Sequence, residues 1–108
     1  MASFADYRAY VGTRTGKFYK DTLFRGDHLM VGINCLEPGQ RQPLHDHADA
    51  DKVYVVMEGS GYFTLGDQAN EADQGEVVWA PAGVPHGVEN RHNERLVLLV
   101  AIAPPPGT

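Results

Sequence analysis

The residues best suited to chemistry in this 108-residue chain are three histidines and a lysine. His45 and His47 stand two apart in HDHADADKVYVVMEG. In an extended strand such residues project from one face, so their imidazoles converge. Downstream, GEVVWAPAGVPHGVEN holds Pro81, Gly83 and His86. Pro81 and Gly83 make a tight turn after one strand, and His86 opens the next, which delivers a third imidazole from a neighbouring strand. Three ligands on rigid strands, with coordination positions left open, suit a catalytic transition metal better than a closed structural one. Imidazole accepts Fe(II), Zn, Ni, Mn and Cu(II), so one divalent transition metal per chain is expected, with Mn least favoured by neutral ligands alone.

The elements that must position these side chains are strands. Short runs rich in Val, Leu, Tyr and Phe alternate with Gly, Asp, Asn and Pro punctuation, and no long stretch has helical periodicity. Strands are expected over 17–24, 28–37, 52–57, 61–65, 76–79, 86–89 and 96–102, with turns such as EPGQ, GDQAN, ADQG and NRHNE between them. This pattern predicts an all-β sandwich or barrel. VYVVM (53–57) and LVLLVAIA (96–103) are apolar on both faces, so something covers their second face. Either the N-terminal segment, residues 1–16, or a second copy can do so, and a homodimer is the favoured expectation. The Pro-rich tail, 103–108, cannot pair as a central strand.

Gly39-x5-His45-x-His47-x4-Lys52-x6-Gly59 resembles the first motif of the cupin superfamily except at Lys52. Gly75-x5-Pro81-x-Gly83-x2-His86-x3-Asn90 matches the second motif throughout. Motif one covers 39–59 and motif two 75–90, and from end to end they span 39–90, about half the chain. The resemblance implies a small single-domain microbial cupin over 1–108, a double-stranded β-helix or jelly-roll barrel. Cupins include dioxygenases, isomerases, lyases, sugar-binding sensors and storage proteins, so the resemblance speaks for the fold and leaves the reaction open.

In metal-binding cupins a motif-one glutamate completes the shell, and here that position carries Lys52. A protonated lysine does not coordinate a cation. Three arrangements follow. The metal sits on His45, His47 and His86 alone, leaving room for an anionic, bidentate substrate; or Asp49 or Asp51 substitutes; or no metal binds and Lys52 receives a carboxylate or phosphate. The three-histidine centre is the preferred reading, because an empty barrel gives three converging imidazoles little reason to be there. Lys52 and Tyr54 are the acid–base candidates, Lys52 only with a depressed pKa. With Lys52 inward, alternation turns Tyr54 and Val56 inward as well. Phe63 and Trp79 are candidate cavity aromatics, with core packing the commoner fate of such residues. Asn34 or Cys35, but not both, faces the site. His28 and His92 read as surface residues.

The expected function is therefore that of a metal-dependent enzyme of dioxygenase or isomerase type on a small polar organic molecule. The alternative is a non-enzymatic binder of a sugar or carboxylate, with Lys52 in an anion pocket. The net charge of −5, with no basic run, argues against nucleic acid or an anionic membrane as partner. The single cysteine, Cys35, cannot form an internal disulfide, and MASFADYRAY lacks the apolar core of a signal peptide. A cytoplasmic location is the expectation.

Overall fold

The computed structural model describes residues 3–46 and 48–107. His47 thus lies outside the described residues. A 3-10 turn at Tyr7–Ala9 precedes nine strands: β1 (Tyr19–Arg25), β2 (Met30–Leu36), β3 (Arg41–His45), β4 (Asp51–Glu58), β5 (Ser60–Leu65), β6 (Gln68–Asp73), β7 (Val77–Ala80), β8 (His86–Glu89) and β9 (Leu96–Ala103). They form two antiparallel sheets, one ordered β1-β2-β9-β4-β7 and the other β3-β8-β5-β6. This is the all-β jelly-roll barrel expected of the sequence.

Alternation builds the core. Lys52, Tyr54 and Val56 of β4 point inward, as do Leu96, Leu98, Val100 and Ile102 of β9, all nearly or fully buried. With Phe63, Val78 and Val88 most of them close the space between the sheets. Val97 of β9 is equally buried although it points the other way. Its cover, with Ile33 and Cys35, includes Tyr7, Tyr10 and Val11, so the N-terminal segment seals this part of the outer face. The rest of that face stays open, with Val77 and Trp79 62% and 53% exposed. Trp79 is therefore not core, while Phe63 is core, its ring 5.2 Å from that of Tyr54. Cys35 belongs to the outer cluster, and burial pushes its thiol pKa up, away from reactivity.

Two strands were not expected from the sequence. β6, QANEAD, is polar because it pairs only with β5 at the edge of its sheet and turns only Ala72 into the core. β3 is a five-residue strand that contains Pro43 and pairs irregularly with β8 between Gln42 and His45.

The asparagine that closes the second motif holds backbone. Asn90 is fully buried, and its amide donates to the carbonyls of Leu36 and Glu94 while its oxygen accepts from the His92 amide. Its own main chain exchanges hydrogen bonds with Gly39 and Gln40. Asn90 thereby ties the start of motif one to the end of motif two. The tail runs back over its own barrel, where the Arg25 guanidinium donates to the carbonyl of Pro106. Among the described residues no helix is long and apolar enough to cross a membrane.

Candidate metal and ligand site

His45 ends β3 and His86 opens β8, and the two are direct register partners across the strand pair. Their ring centroids lie 4.3 Å apart with the planes tilted by 59°. Each ring is held in the same way. Nδ1 of His45 meets the carbonyl of Pro43 at 2.8 Å, and Nδ1 of His86 meets the carbonyl of Val84 at 3.0 Å. A carbonyl only accepts, so Nδ1 carries the proton in both rings and Nε2 carries the lone pair. This is the tautomer, and the backbone tether, that orients histidines as metal ligands. The donor set thus fits a transition metal at His45 and His86, with His47 two residues beyond His45 in sequence. Among the described residues alone no group of three His, Cys, Asp or Glu side chains could hold a metal ion.

A cavity of about 600 Å³ opens beside His45. Its floor is the inward face of the larger sheet: Lys52, Asn34, Val100 and Ile102, with Gly32 contributing no side chain. Gln42 lines it from β3 and Lys20 from β1. Gln42 and His45 are three apart, a spacing that puts side chains on opposite faces of a regular strand. A bulge resolves this. Gln42 pairs with Val88 and His45 with His86, so three residues of β3 advance against two of β8. Gly87 makes the bulge possible, since a Cβ there would fall 2.9 Å from the Gln42 carbonyl oxygen and 3.1 Å from the Leu44 amide nitrogen.

Lys52 is only 5% exposed. Its ammonium lies 4.7 Å from the centre of the Tyr54 ring, and no carboxylate of the described residues pairs with it. Burial, and secondarily the positive charge of Lys20, lower its pKa from 10.5 to about 8. Tyr54 is fully buried, and burial pushes its phenol far above the usual range. Its hydroxyl donates to Gln42 Oε1 at 2.5 Å and so reaches the cavity only through that amide. Tyr54 thus fixes the orientation of Gln42, whose NH2 remains to be offered to a ligand.

The structure therefore brings together His45, His86 and Lys52, and adds Asn34, Gln42 and Lys20. Asn34 was one of two residues that alternation allowed here. Gln42 carried no sequence signal because the bulge breaks the alternation that would reveal it. The two acids take other positions. Asp51 is exposed and accepts from the Ala82 amide at 2.9 Å, fastening the turn before His86 to the start of β4. Asp49 is exposed in a turn and, like Asp51, does not line the cavity. His28 and His92 are surface residues, His92 engaging Glu71.

Two packed antiparallel sheets, with His45 and His86 paired across β3 and β8, define a cupin, and the comparisons with known proteins agree. The profile of the Cupin domain matches residues 32–102, and the chain belongs to that family. An uncharacterized protein of Methanocaldococcus jannaschii is 33% identical over 97 residues, covering 86% of this chain and 78% of that one. The crystal structure of TT1209 from Thermus thermophilus superposes with a TM-score of 0.93 at 32% identity, covering 97% of this chain and all of that one. An oxalate-binding protein of Thermotoga maritima is 30% identical over 67 residues, which span 62% of this chain and 55% of that protein.

Proposed function

We propose that this cupin binds one divalent transition metal through His45, His47 and His86 and takes a small organic acid into the adjoining cavity. The observation that carries the reading is the paired tethering of His45 and His86, which turns the lone pair of each Nε2 to the role of a ligand. Fe, Zn, Ni, Mn and Cu all suit imidazole. A metal bound there would supply Lewis-acid polarisation of a substrate oxygen. Lys52 offers the positive charge for a carboxylate, where other cupins carry a ligand glutamate. Gln42 and Asn34 offer amide donors beside it. The similarity to an oxalate-binding protein supports a small carboxylate as ligand class.

Whether turnover follows, of the dioxygenase or isomerase type, depends on a proton carrier. Tyr54 is spoken for by Gln42, which leaves Lys52 as the group able to exchange a proton with a ligand. Binding without turnover is the second reading, favoured by this sparse acid–base equipment. The homodimer belongs to the same proposal, with the open apolar face around Val77 and Trp79 as its contact. Trp79→Glu is then expected to shift the sedimenting species from dimer to monomer, and a wild-type chain that sediments as a monomer removes the idea.

Metal content decides the main reading. Protein purified without an affinity tag or chelator is expected to carry close to one metal per chain, and His86→Ala to lose it. No metal in the wild type after incubation with Fe(II), Zn and Ni in turn would sink the three-histidine centre.

A further inference from the structure

One group in the cavity has no role in holding a metal. Lys52 is a primary amine buried at the cavity floor, flanked in register by Ile102 and Ala80 and capped by the Tyr54 ring. Asp21 is the carboxylate at the cavity wall, and it is engaged elsewhere, accepting from the Thr22 amide and the Tyr19 hydroxyl. The other ammonium of the cavity is Lys20. A lysine kept from water and placed near a second cation is the arrangement that raises the neutral, nucleophilic fraction of an amine. With its pKa lowered from 10.5 to about 8, that fraction at neutral pH rises by roughly two orders of magnitude over an ordinary lysine.

We propose that Lys52 is an imine-forming nucleophile for a small 2-oxo acid. The proposal rests on the reading that the cavity admits a small carboxylate, and it adds the reactive group of the ligand. Lys20 and the amides of Asn34 and Gln42 are the partners for the acid's carboxylate, and its carbonyl carbon meets Lys52. The lone pair of Nζ adds to that carbon as the carbonyl π electrons move to oxygen. One proton from nitrogen and one from solvent convert the oxygen to water, which departs and leaves a protonated imine. No electrons are gained or lost, and reversal with water restores the free amine. The protonated imine is an electron sink for bonds to the neighbouring carbon, which is what a 2-oxo acid lacks by itself.

The chain has three lysines, and Lys17 and Lys20 are exposed, so the test has internal controls. Metal-free protein is incubated with glyoxylate and cyanoborohydride, and the adduct is located by peptide mass mapping. The expected result is one carboxymethyl group on Lys52, acquired at least about tenfold faster than on Lys17 or Lys20, given the larger neutral fraction. The Lys52→Arg variant, which keeps the charge, is expected to lose it. Label spread evenly over the exposed amines, or unchanged in Lys52→Arg, overturns the proposal. A calorimetric titration with oxalate, which has no ketone, runs beside it. Oxalate binding without trapping refutes the imine and leaves the carboxylate site standing. Trapping at Lys52 without oxalate binding refutes the carboxylate site and keeps the amine's reactivity.

Discussion

Lys52→Met is expected to stabilise the metal-free protein at pH 7 by about 3 kcal/mol and to remove most of the pH dependence of stability between pH 8 and 10. The folded amine titrates near 8 and the unfolded one near 10.5. Between those values the unfolded chain binds a proton that the folded chain does not, so stability rises with pH through this window. Below pH 8 both states are protonated and the full cost of burying an unpaired ammonium is present. Methionine is close in volume, needs no counter-charge and packs against Ile102 and Tyr54. Lys20, Asp21 and His45 share the cavity and are the same in both proteins, so the difference reports on the side chain at position 52. Urea denaturation at pH 7 and pH 9.5 checks this. The wild type should gain about 2 kcal/mol more than the variant between the two pH values. Parallel pH curves would mean that the amine is solvated or paired in solution, and the uncompensated cation would be lost as a premise of the site.

Gly59→Ala is expected to cost about 3 kcal/mol or more, and Gly75→Ala only about 1. Both glycines have positive φ, +81° and +91°, so alanine is strained at either position. The surroundings differ. Gly59 is the corner where the chain leaves β4 for β5 in the other sheet, and a Cβ there would sit 2.5 Å from the Arg95 carbonyl oxygen and 3.2 Å from the Leu96 Cα. Those are main-chain atoms at the start of β9, which cannot move without disturbing the central strand of the larger sheet. A Cβ at Gly75 would meet nothing within 4 Å. The difference between the two denaturation midpoints therefore measures the steric term alone. Equal losses would show that the β4–β5 corner yields, and that Gly59 serves conformation only.

The sequence by itself determined the barrel, its two motifs and the inward face of β4, because alternation and turn residues act locally and leave their pattern in the chain. Lys52, Tyr54 and Val56 face inward as alternation requires, and His86 begins the strand that the Pro81–Gly83 turn prepares. It also limited the site to one of Asn34 and Cys35, and the structure chose Asn34, with Cys35 on the outer side. What alternation could not reach, tertiary structure decided. β6 reads as turn because an edge strand needs almost no apolar residues. The N-terminal segment covers Val97 and Ile33 through Tyr7, Tyr10 and Val11, a contact between distant parts of the chain with no local signature. Gln42 joins His45 in the cavity because a bulge, allowed by Gly87 on another strand, inserts one residue into the pairing. Asp51 shares the parity of His45 but accepts the Ala82 amide, because a turn at Ala48 and Asp49 intervenes and parity lapses across it. Period-two reasoning holds within a strand. Where strands bulge, end or meet a remote segment, the side chain's neighbours are set by the other strand, and only the folded molecule contains it.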